Sequence, residues 1–477
     1  MEHRFYPKRC TSSLAETVGN IDELLTEILV RVPARPLVRF KCVSQHWLSL
    51  ISDPKFCHRH TLRNPNTPIS AVFPYRSTKC GFIPIPLDDH LEFGSPFNPL
   101  NIFEHEYDEH IKVIQSCSGL LLCNLLDAKK LNPPYIILNP TTNQFSELIP
   151  PLAELIPPLT TAVTNDAGQQ MEAPYIVSIA LAFDPSKSPH YKVVCVRTID
   201  GTMVCQHFHI LIYSSETQSW RLLDSSFSIH DRICLNDAVF LNGAIHWVGL
   251  TCELSYFQVD EERIGHVPPH PRYMSREKCW GRRIYRYFRE SVDKRHLQLI
   301  DIYNPCISQF EVLEMGNDYS GWFVKYLVDL DPISTVYPSF QRKMVQILFL
   351  AQEENEGEEC LSLLMHMPGK AFSYNLKSKT TKSFDLAPMP GLDDSLLRVG
   401  SNNYWIKWYP IAACIQFGLW INDEFDLPFT LHNDVPSYHS VHLLKINSPP
   451  SVFRSLFDIY NPRFRSVLIK GSSGTSI

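Results

Sequence analysis

The feature that most constrains the fold is a phrase that recurs in the long C-terminal part of the chain. Its four copies read YIILNPTTNQFSEL from 135, ILIYSSETQSWRLL from 210, LIDIYNPCISQFEVL from 299 and AFSYNLKSKTTKSFDL from 371. Each copy has an apolar run, a polar turn, an aromatic residue and a second run. The aromatic residues Phe145, Trp220, Phe310 and Phe384 lie 75, 90 and 74 residues apart. Such runs, bounded by turn residues, predict strands joined by hairpins.

Repetition at this long spacing predicts a propeller or another closed β array, since closure removes the exposed edges of many strands. The runs CSGLLLC (117–123) and VFLNGAIHWVG (239–249) are further predicted hairpins. The spacing exceeds what one blade needs, so a copy marks every second blade or a blade with insertions. The chain has no Gly-Gly pair and no Trp-Asp dipeptide, so the kelch and WD signatures are absent. A pair of β-sandwiches is the alternative.

Composition places the chain among ordinary globular proteins. Apolar residues make up 44% and charged residues 20%, with a formal net charge of −6. The 36 prolines against 19 glycines favour a loop-rich protein with many strands over a helical bundle. Because there is no excess of positive charge, we expect no nucleic-acid partner.

The location of the protein is inferred from what the sequence lacks. No apolar run follows the basic residues of the first 20, and no run of eighteen apolar residues occurs, so we expect neither secretion nor membrane insertion. The 14 cysteines are scattered without a CxxC pair, which favours reduced, buried thiols. A cytoplasmic and/or nuclear protein is expected.

A short segment near the N-terminus carries an excess of apolar surface. Between Ile21 and Phe56, 16 of 36 residues are large and apolar. Units below about 40 residues seldom bury enough surface to be stable alone. Part of this surface is therefore meant either for another protein or for the rest of the same chain, and the residues alone leave both readings open.

Helix start and stop signals predict three short helices in this segment. The signals are Asn20 with Glu23 as an N-cap pair, Pro33 as a stop, Pro36 in the first turn of the second helix, Ser44 as the cap of the third, and Asp53-Pro54 as its end. The polar, proline-broken residues 58–68 are interpreted as a linker.

The run DELLTEILVRVPARPLVRFKCVSQHWLSLISDPKF resembles an F-box, whose pattern is a leucine-rich first helix, an ILxRLP turn and LxRFxCVxKxWxSLIxDPxF. The resemblance implies that these helices bind a Skp-type adaptor and, through it, the cullin of a ubiquitin ligase. The residues it implies for adaptor binding are Leu24, Ile28, Leu29, Val32, Pro33, Leu37, Val38, Phe40, Val43, Trp47, Leu50 and Ile51.

This segment departs from the F-box pattern at two places. The Leu-Pro pair that usually opens the motif is replaced by Asn20-Ile21, and the lysine before the tryptophan is replaced by Gln45, with His46 next to it. Losing the proline removes a rigid helix start. We expect adaptor binding, with lower affinity than is typical.

A second resemblance covers about residues 70–420. The runs HYKVVCVR (190–197), IYSSETQSWR (212–221), VFLNGAIHWVG and GWFVKYLVDLD (321–331) are similar to the F-box-associated domain of plant F-box proteins. That resemblance implies capture of a target protein by a β-rich, propeller-like domain. The expected fold is α+β and multidomain, with a three-helix F-box at 14–60, a mainly-β domain at 69–445 and a poorly ordered tail at 446–477.

No catalytic motif is present: the chain lacks GxSxG, HExxH, GxxxxGK[ST] and GxGxxG. We therefore expect a non-catalytic subunit with no cofactor and no metal. His207 with His209, and the run Cys57-His58-Arg59-His60, are weak metal signals without a third ligand at recognisable spacing. The run EENEGEE (353–359) is interpreted as a solvated hairpin loop.

Two other functions stay open. One is a propeller-type hydrolase or oxidase. The other is an F-box protein that serves as a scaffold or glycan binder outside degradation. Tyr75, Trp220, Trp247 and Trp322 are candidate ligand-binding aromatics, although the sequence does not show which of them point outward.

Overall fold

The computed structural model divides the chain into two compact units, one containing residues 21–64 and the other lying within Pro65–Gly418. The described residues are 21–64, 69–75, 85–86, 110–126, 135–142, 144–148, 163–164, 170–171, 176–198, 207–224, 227–228, 235, 237–249, 252–268, 283–291, 293–303, 308–336, 346–355, 358–367, 370–385 and 407–412. Among these residues, no helix has the length and apolar character needed to cross a membrane.

The first unit contains four helices in its described part: α1 (Asp22–Leu29), α2 (Ala34–Phe40), α3 (Gln45–Ser52) and α4 (Pro54–Arg63). Ser44 caps α3 as predicted, because its Oγ accepts a hydrogen bond from the N–H of Trp47 at 3.2 Å. Asp53 caps α4 by accepting hydrogen bonds from the N–H groups of Lys55 and Phe56 at 2.8 and 3.2 Å. Pro54 then occupies the first turn, where its missing N–H removes no helical bond.

Two predictions about this unit are wrong. The linker interpretation fails because α4 runs to Arg63. Asp53-Pro54 ends α3 but also begins α4, since aspartate is a good cap and proline a good first residue. The cap position of α1 is Ile21 rather than Asn20, because the helix begins one residue later than expected, and the Ile21 side chain makes no capping hydrogen bond.

The second unit is built from antiparallel strands, which we number β1 to β26. The first two are β1 (Ile69–Tyr75) and β2 (Ile85–Pro86), and the last is β26 (Lys407–Ala412). Blade 1 contains β3 (His110–Cys117), β4 (Leu120–Leu126), β5 (Tyr135–Asn139) and β6 (Gln144–Leu148). The short strands β7 (Val163–Thr164) and β8 (Gln170–Met171) pair with each other. Blade 2 contains β9 (Ile176–Ala182), β10 (Lys192–Thr198), β11 (His207–Ser214) and β12 (Ser219–Leu222), with β13 (Phe227–Ser228) added to β11.

The remaining strands make three further blades. Blade 3 contains β14 (Val239–Leu241), β15 (Ala244–Val248), β16 (Leu254–Gln258) and β17 (Arg263–Val267). Blade 4 contains β18 (Arg283–Glu290), β19 (Leu297–Tyr303), β20 (Gln309–Met315) and β21 (Trp322–Asp329), and the helix α5 (Asp331–Val336) follows it. Blade 5 contains β22 (Gln346–Asn355), β23 (Glu358–Met367), β24 (Lys370–Asn375) and β25 (Thr381–Asp385). Within each blade the strands pair in chain order.

The blades form a β-propeller, which confirms the predicted fold class and excludes the β-sandwich alternative. The first strands of successive blades contact one another, β3 with β9, β9 with β14, and β14 with β18. Blades 4 and 5 share one apolar core. The sheet β2-β1-β26 joins the two ends of the domain, and β26 contacts both β22 and β3. The ring therefore closes through strands from its start and its end.

The recurring phrase corresponds to blade hairpins. It is the hairpin of the third and fourth strands in blades 1, 2 and 5, and of the second and third strands in blade 4. Blade 3 has the same hairpin without the aromatic residue: Ile264, which faces Phe257, stands where Trp220 faces Tyr213 in blade 2. The turns place Gln218, Glu262 and Lys379 at positive φ. The aromatic residue of the phrase therefore does not mark blade 3.

The other predicted hairpins are confirmed. CSGLLLC and VFLNGAIHWVG turn at Ser118-Gly119 and Asn242-Gly243, where both residues have positive φ, as a two-residue turn of this kind requires. The loop interpretation of EENEGEE is wrong for most of the run: residues 353–355 belong to β22 and residues 358–359 to β23, and the two strands are paired as far as Asn355 and Glu358.

Candidate partner-binding surface of the helical unit

The helices of the first unit pack around α3, which contacts α1, α2 and α4. Leu29, Leu37 and Ile51 are fully buried. Trp47 is also buried and meets Phe40 edge-on, with ring centroids 5.7 Å apart. The periodic apolar positions of the sequence thus supply a packed core.

The twelve residues predicted to bind an adaptor divide into three groups in the structure. Five are buried: Leu29, Val32, Leu37, Trp47 and Ile51. Three are half-buried: Val38, Phe40 and Leu50. Four are exposed: Leu24, Ile28, Pro33 and Val43. Only the last two groups are available to a partner without a change in the fold.

The exposed apolar residues of α1 form a stripe. Leu24 is 46% exposed and Ile28 is 38% exposed, and Ile21, just before the helix, is 39% exposed. Residues three and four positions apart lie on one side of a helix, so these three side chains are neighbours. We call Ile21, Leu24 and Ile28 the α1 stripe. Ile21 was absent from the predicted set, although its spacing from Leu24 and Ile28 gave the signal.

The helix α4, which the sequence did not predict, holds the connection between α1 and α2. His60 Nε2 lies 2.8 Å from the carbonyl oxygen of Val32, and Asn64 Nδ2 donates to the carbonyl oxygen of Val30 at 3.0 Å. Burial lowers the pKa of His60, an effect that the contact with Val32 opposes. A neutral imidazole can donate to this carbonyl, so α4 fixes the turn that follows the α1 stripe.

Charged groups flank this surface. Glu27 of α1 pairs with Arg31 one turn later and with Arg59 of α4. His46 Nε2 of α3 lies 3.1 Å from Asp22 Oδ1 at the start of α1. All these side chains are substantially exposed, so each pair contributes at most about 1 kcal/mol to stability.

Comparison with known proteins identifies the family. The F-box family profile matches residues 22–59, and the profile described as the F-box associated beta propeller domain matches residues 85–279. F-box protein At5g07610 of Arabidopsis thaliana is 31% identical over 390 residues, which cover 78% of this chain and 87% of that protein. The chain belongs to the plant F-box proteins. Its β-propeller is the F-box-associated domain of that family.

Two other Arabidopsis thaliana relatives are more distant. F-box protein At5g49610 is 26% identical over 241 residues, covering 48% of this chain and 57% of that protein. Putative F-box protein At1g32420 is 24% identical over 278 residues, covering 56% of this chain and 81% of that protein. The F-box and the propeller together support a role in substrate recognition.

The propeller of this F-box protein buries two of the four aromatic residues that the sequence suggested as ligand contacts. Trp247 and Trp322 are buried, and their Nε1 atoms donate to Ser178 Oγ at 3.1 Å and to the Cys252 carbonyl at 2.9 Å. Trp220 is half-buried against Tyr213. The Tyr75 side chain lies outside the described residues. Trp247 and Trp322 therefore serve the packing of the blades.

The metal signals do not come together in the described residues, which contain no cluster of three or more potential His, Cys, Asp or Glu ligands. The Cys57 Sγ donates to the Ile51 carbonyl, and His60 is engaged by Val32. The side chain of His207 lies outside the described part. The six described free cysteines are Cys42, Cys57, Cys117, Cys123, Cys195 and Cys252, and all except Cys42 are buried.

Buried thiols in the propeller are held in the protonated form. Burial raises the pKa of Cys117 and of Cys195 to about 12. A thiol with so high a pKa forms little of the thiolate that reacts with electrophiles. These cysteines act as small apolar residues between strands, as the sequence indicated.

Proposed function

We propose that this F-box protein is the substrate-recognition subunit of an SCF-type cullin ubiquitin ligase. The helical unit binds a Skp-type adaptor and, through it, the cullin. The propeller binds a target protein. The protein itself catalyses no reaction and works in the cytoplasm and/or the nucleus.

The observation that supports adaptor binding is the division between core and surface in the helical unit. Leu29, Leu37 and Ile51 complete a buried core, yet Leu24 and Ile28 remain exposed beside it, and Val43 is 44% exposed between α2 and α3. A large apolar side chain gains about 1.5–3 kcal/mol when it is fully buried. Exposed apolar residues grouped on one helix are the expected feature of a docking face.

The contribution of such a subunit is proximity. Holding a target beside a ubiquitin-charged partner turns a bimolecular encounter into an intramolecular one, with an effective concentration set by the geometry of the assembly. This role needs two binding surfaces in one chain and no reactive side chain. The exposed apolar residues of the F-box support the first of these two surfaces.

The test is co-purification of a Skp-type adaptor with the full chain and its variants. Leu24→Ser with Ile28→Ser removes most of the α1 stripe without touching the core, so the fold is retained and adaptor recovery falls at least about tenfold. Leu62→Ser is the matched control, because Leu62 is 55% exposed on α4 and outside the predicted set. Equal adaptor recovery from the double variant and the control contradicts adaptor binding through this surface.

A further inference from the structure

Within the part of the chain that the structure describes, the last strand of blade 4 has an open edge. Among the described strands, β21 pairs with β20 on one side and has no neighbour on the other. It is eight residues long and carries two exposed large apolar side chains, Phe323 at 46% and Leu327 at 72%. A long edge strand with exposed apolar side chains is a template for pairing with another chain.

The hydrogen bonds to β20 show which backbone groups of β21 point toward that edge. Leu330 N donates to the Ser308 carbonyl at 2.8 Å, and bonded pairs alternate along an antiparallel ladder. Leu327 and Asp329 therefore turn their N–H and C=O groups away from β20. The Asp329 carbonyl accepts a hydrogen bond from Tyr374 Oη of blade 5 at 3.3 Å. The N–H and C=O of Leu327 and the N–H of Asp329 make no such contact with described residues.

A β-bulge at Lys325 sets the side to which each side chain points. The register shifts between Val312 and Leu313 of β20, so Leu313 faces Val324 while Val312 faces Tyr326. Val324 packs toward blade 3, and Tyr326 packs toward blade 5. Leu327, next along the strand, lies on the side of blade 3.

The surroundings of Leu327 are acidic. Glu311 of β20 is directly opposite it, and Asp329 lies two residues further on the same face. Residues 308–331 contain five carboxylates and one lysine, a formal charge of −4. That lysine, Lys325, is paired with the buried carboxylate of Glu314 at 2.9 Å.

The charge of this edge favours one class of occupant. A second copy of the chain would place acidic residues against acidic residues, which is unfavourable across paired strands. Blade 5 packs on the face of blade 4 that lies opposite Leu327. The lysines of its β24–β25 turn region are therefore not counted with the acidic residues around Leu327; they are Lys377, Lys379 and Lys382. An extended segment with lysine or arginine and apolar residues fits both the charge and the open edge.

We propose that the edge of β21 captures an extended basic segment of a partner protein as an added strand, with Leu327 as the apolar contact and Glu311 and Asp329 as the charged contacts. Backbone pairing gives the affinity in this mode, and alternate side chains give the specificity. The inference rests on the proposed function, since it assigns target capture to blade 4.

The test measures binding of a fluorescein-labelled KTVTKTV peptide to the full chain by fluorescence anisotropy. In an extended conformation this peptide places lysine and valine on one face and threonine on the other. We expect saturable binding that weakens as salt is added, because the contact is partly electrostatic. An ETVTETV peptide, and a KTVTKTV peptide N-methylated at alternate amides, bind at least about fivefold more weakly.

Variants locate the site. Leu327→Lys binds the KTVTKTV peptide at least about fivefold more weakly than the unaltered chain, since it removes an apolar contact and places a positive charge against the peptide lysines. Leu62→Lys places the same change on the helical unit and leaves peptide affinity unchanged. The inference is overturned if KTVTKTV shows no saturable binding, if N-methylation has no effect, or if Leu327→Lys binds as well as the unaltered chain.

A second readout separates this inference from the proposed function. Leu327→Lys retains the Skp-type adaptor in co-purification, because the change lies outside the helical unit. If the unaltered chain co-purifies with the adaptor but does not bind the peptide, the result contradicts only the proposed site at the edge of β21. If the unaltered chain binds the peptide but does not co-purify with the adaptor, the result contradicts only the proposed ligase role.

Discussion

Tyr319 of blade 4 stacks on Tyr256 of blade 3, with ring centroids 4.3 Å apart and ring planes 5° from parallel. Tyr319 Oη also lies 2.8 Å from His246 Nε2, while His246 Nδ1 faces the Val239 carbonyl at 3.2 Å. Because a carbonyl only accepts, Nδ1 carries the proton and Nε2 accepts from the Tyr319 hydroxyl. This group joins a turn of blade 4 to the strands of blade 3.

A methyl group at Gly265 disrupts this stack. Gly265 faces Tyr256 across β16 and β17, and a Cβ there would lie 2.1 Å from the Tyr256 ring. Since Tyr319 covers the ring, Gly265→Ala lowers the free energy of unfolding by about 1–3 kcal/mol. Denaturant unfolding measures this change. In a Tyr256→Ala background the same substitution has little effect, and an equal loss in both backgrounds contradicts the clash.

The propeller loses stability in mild acid through His246. Burial lowers the pKa of His246 to about 4, against an ordinary value of 6.5. The unfolded state therefore gains a proton below pH 6.5 that the folded state does not accept until about pH 4. The free energy of unfolding falls across this range by up to about 3 kcal/mol. In His246→Gln, the free energy of unfolding falls less steeply as the pH is lowered over the same range. An equal pH dependence in the variant and the unaltered chain contradicts the assignment to His246.

The ion pair between Arg286 and Asp301 is buried between blades 3 and 4. Arg286 donates from Nε and Nη2 to the two Asp301 oxygens at 2.7 and 2.6 Å, and from Nη1 to the Gly249 carbonyl at 2.6 Å. Burial lowers the pKa of Arg286, but the Asp301 carboxylate more than reverses this, so the pKa is raised overall.

Asp301→Asn leaves the Arg286 guanidinium without its carboxylate, whereas Arg286→Met leaves Asp301 with Arg283, whose Nη1 lies 3.7 Å from Asp301 Oδ2. Asp301→Asn lowers the free energy of unfolding by about 3–5 kcal/mol, and Arg286→Met lowers it by less, measured by denaturant unfolding. The double variant Arg286→Met with Asp301→Asn loses less than the sum of the two single variants. Additive losses show that the two residues do not act as a pair.

Core and surface positions of the F-box respond differently to truncation. Leu29→Ala lowers the free energy of unfolding by about 2–5 kcal/mol, since it leaves a cavity at a fully buried site. Leu24→Ala changes stability by about 0.5 kcal/mol or less, because the side chain is exposed. Thermal unfolding monitored by circular dichroism separates the two. A large loss from Leu24→Ala would place it in the core.

Much of the fold could be predicted from the sequence because the signals for its helices and hairpins are local. The helical spacing from Leu24 to Val32, the Ser44 cap and the Asn242-Gly243 turn each depend on residues a few positions apart. The phrase with an aromatic residue marked four blades for the same reason. Blade 3 was missed because Ile264 replaces the aromatic residue while the strand and turn are kept.

The parts that could not be predicted depend on contacts between distant residues. Trp47 and Leu24 were both predicted to bind the adaptor. Tertiary packing buries Trp47 and leaves Leu24 exposed. The helix α4 was not predicted because Asp53-Pro54 was interpreted only as the end of α3, whereas Asp53 is also the N-cap of α4. The adaptor-binding residues, the domain boundaries and the cellular location stay predictions.

The most direct test of adaptor binding by the α1 stripe is hydrogen–deuterium exchange of the full chain with and without a Skp-type adaptor. We predict slower exchange in α1 and in the connection around Val43 when the adaptor is bound, with no change at the edge of β21. Unchanged exchange throughout residues 21–64 in a saturated complex would contradict the account.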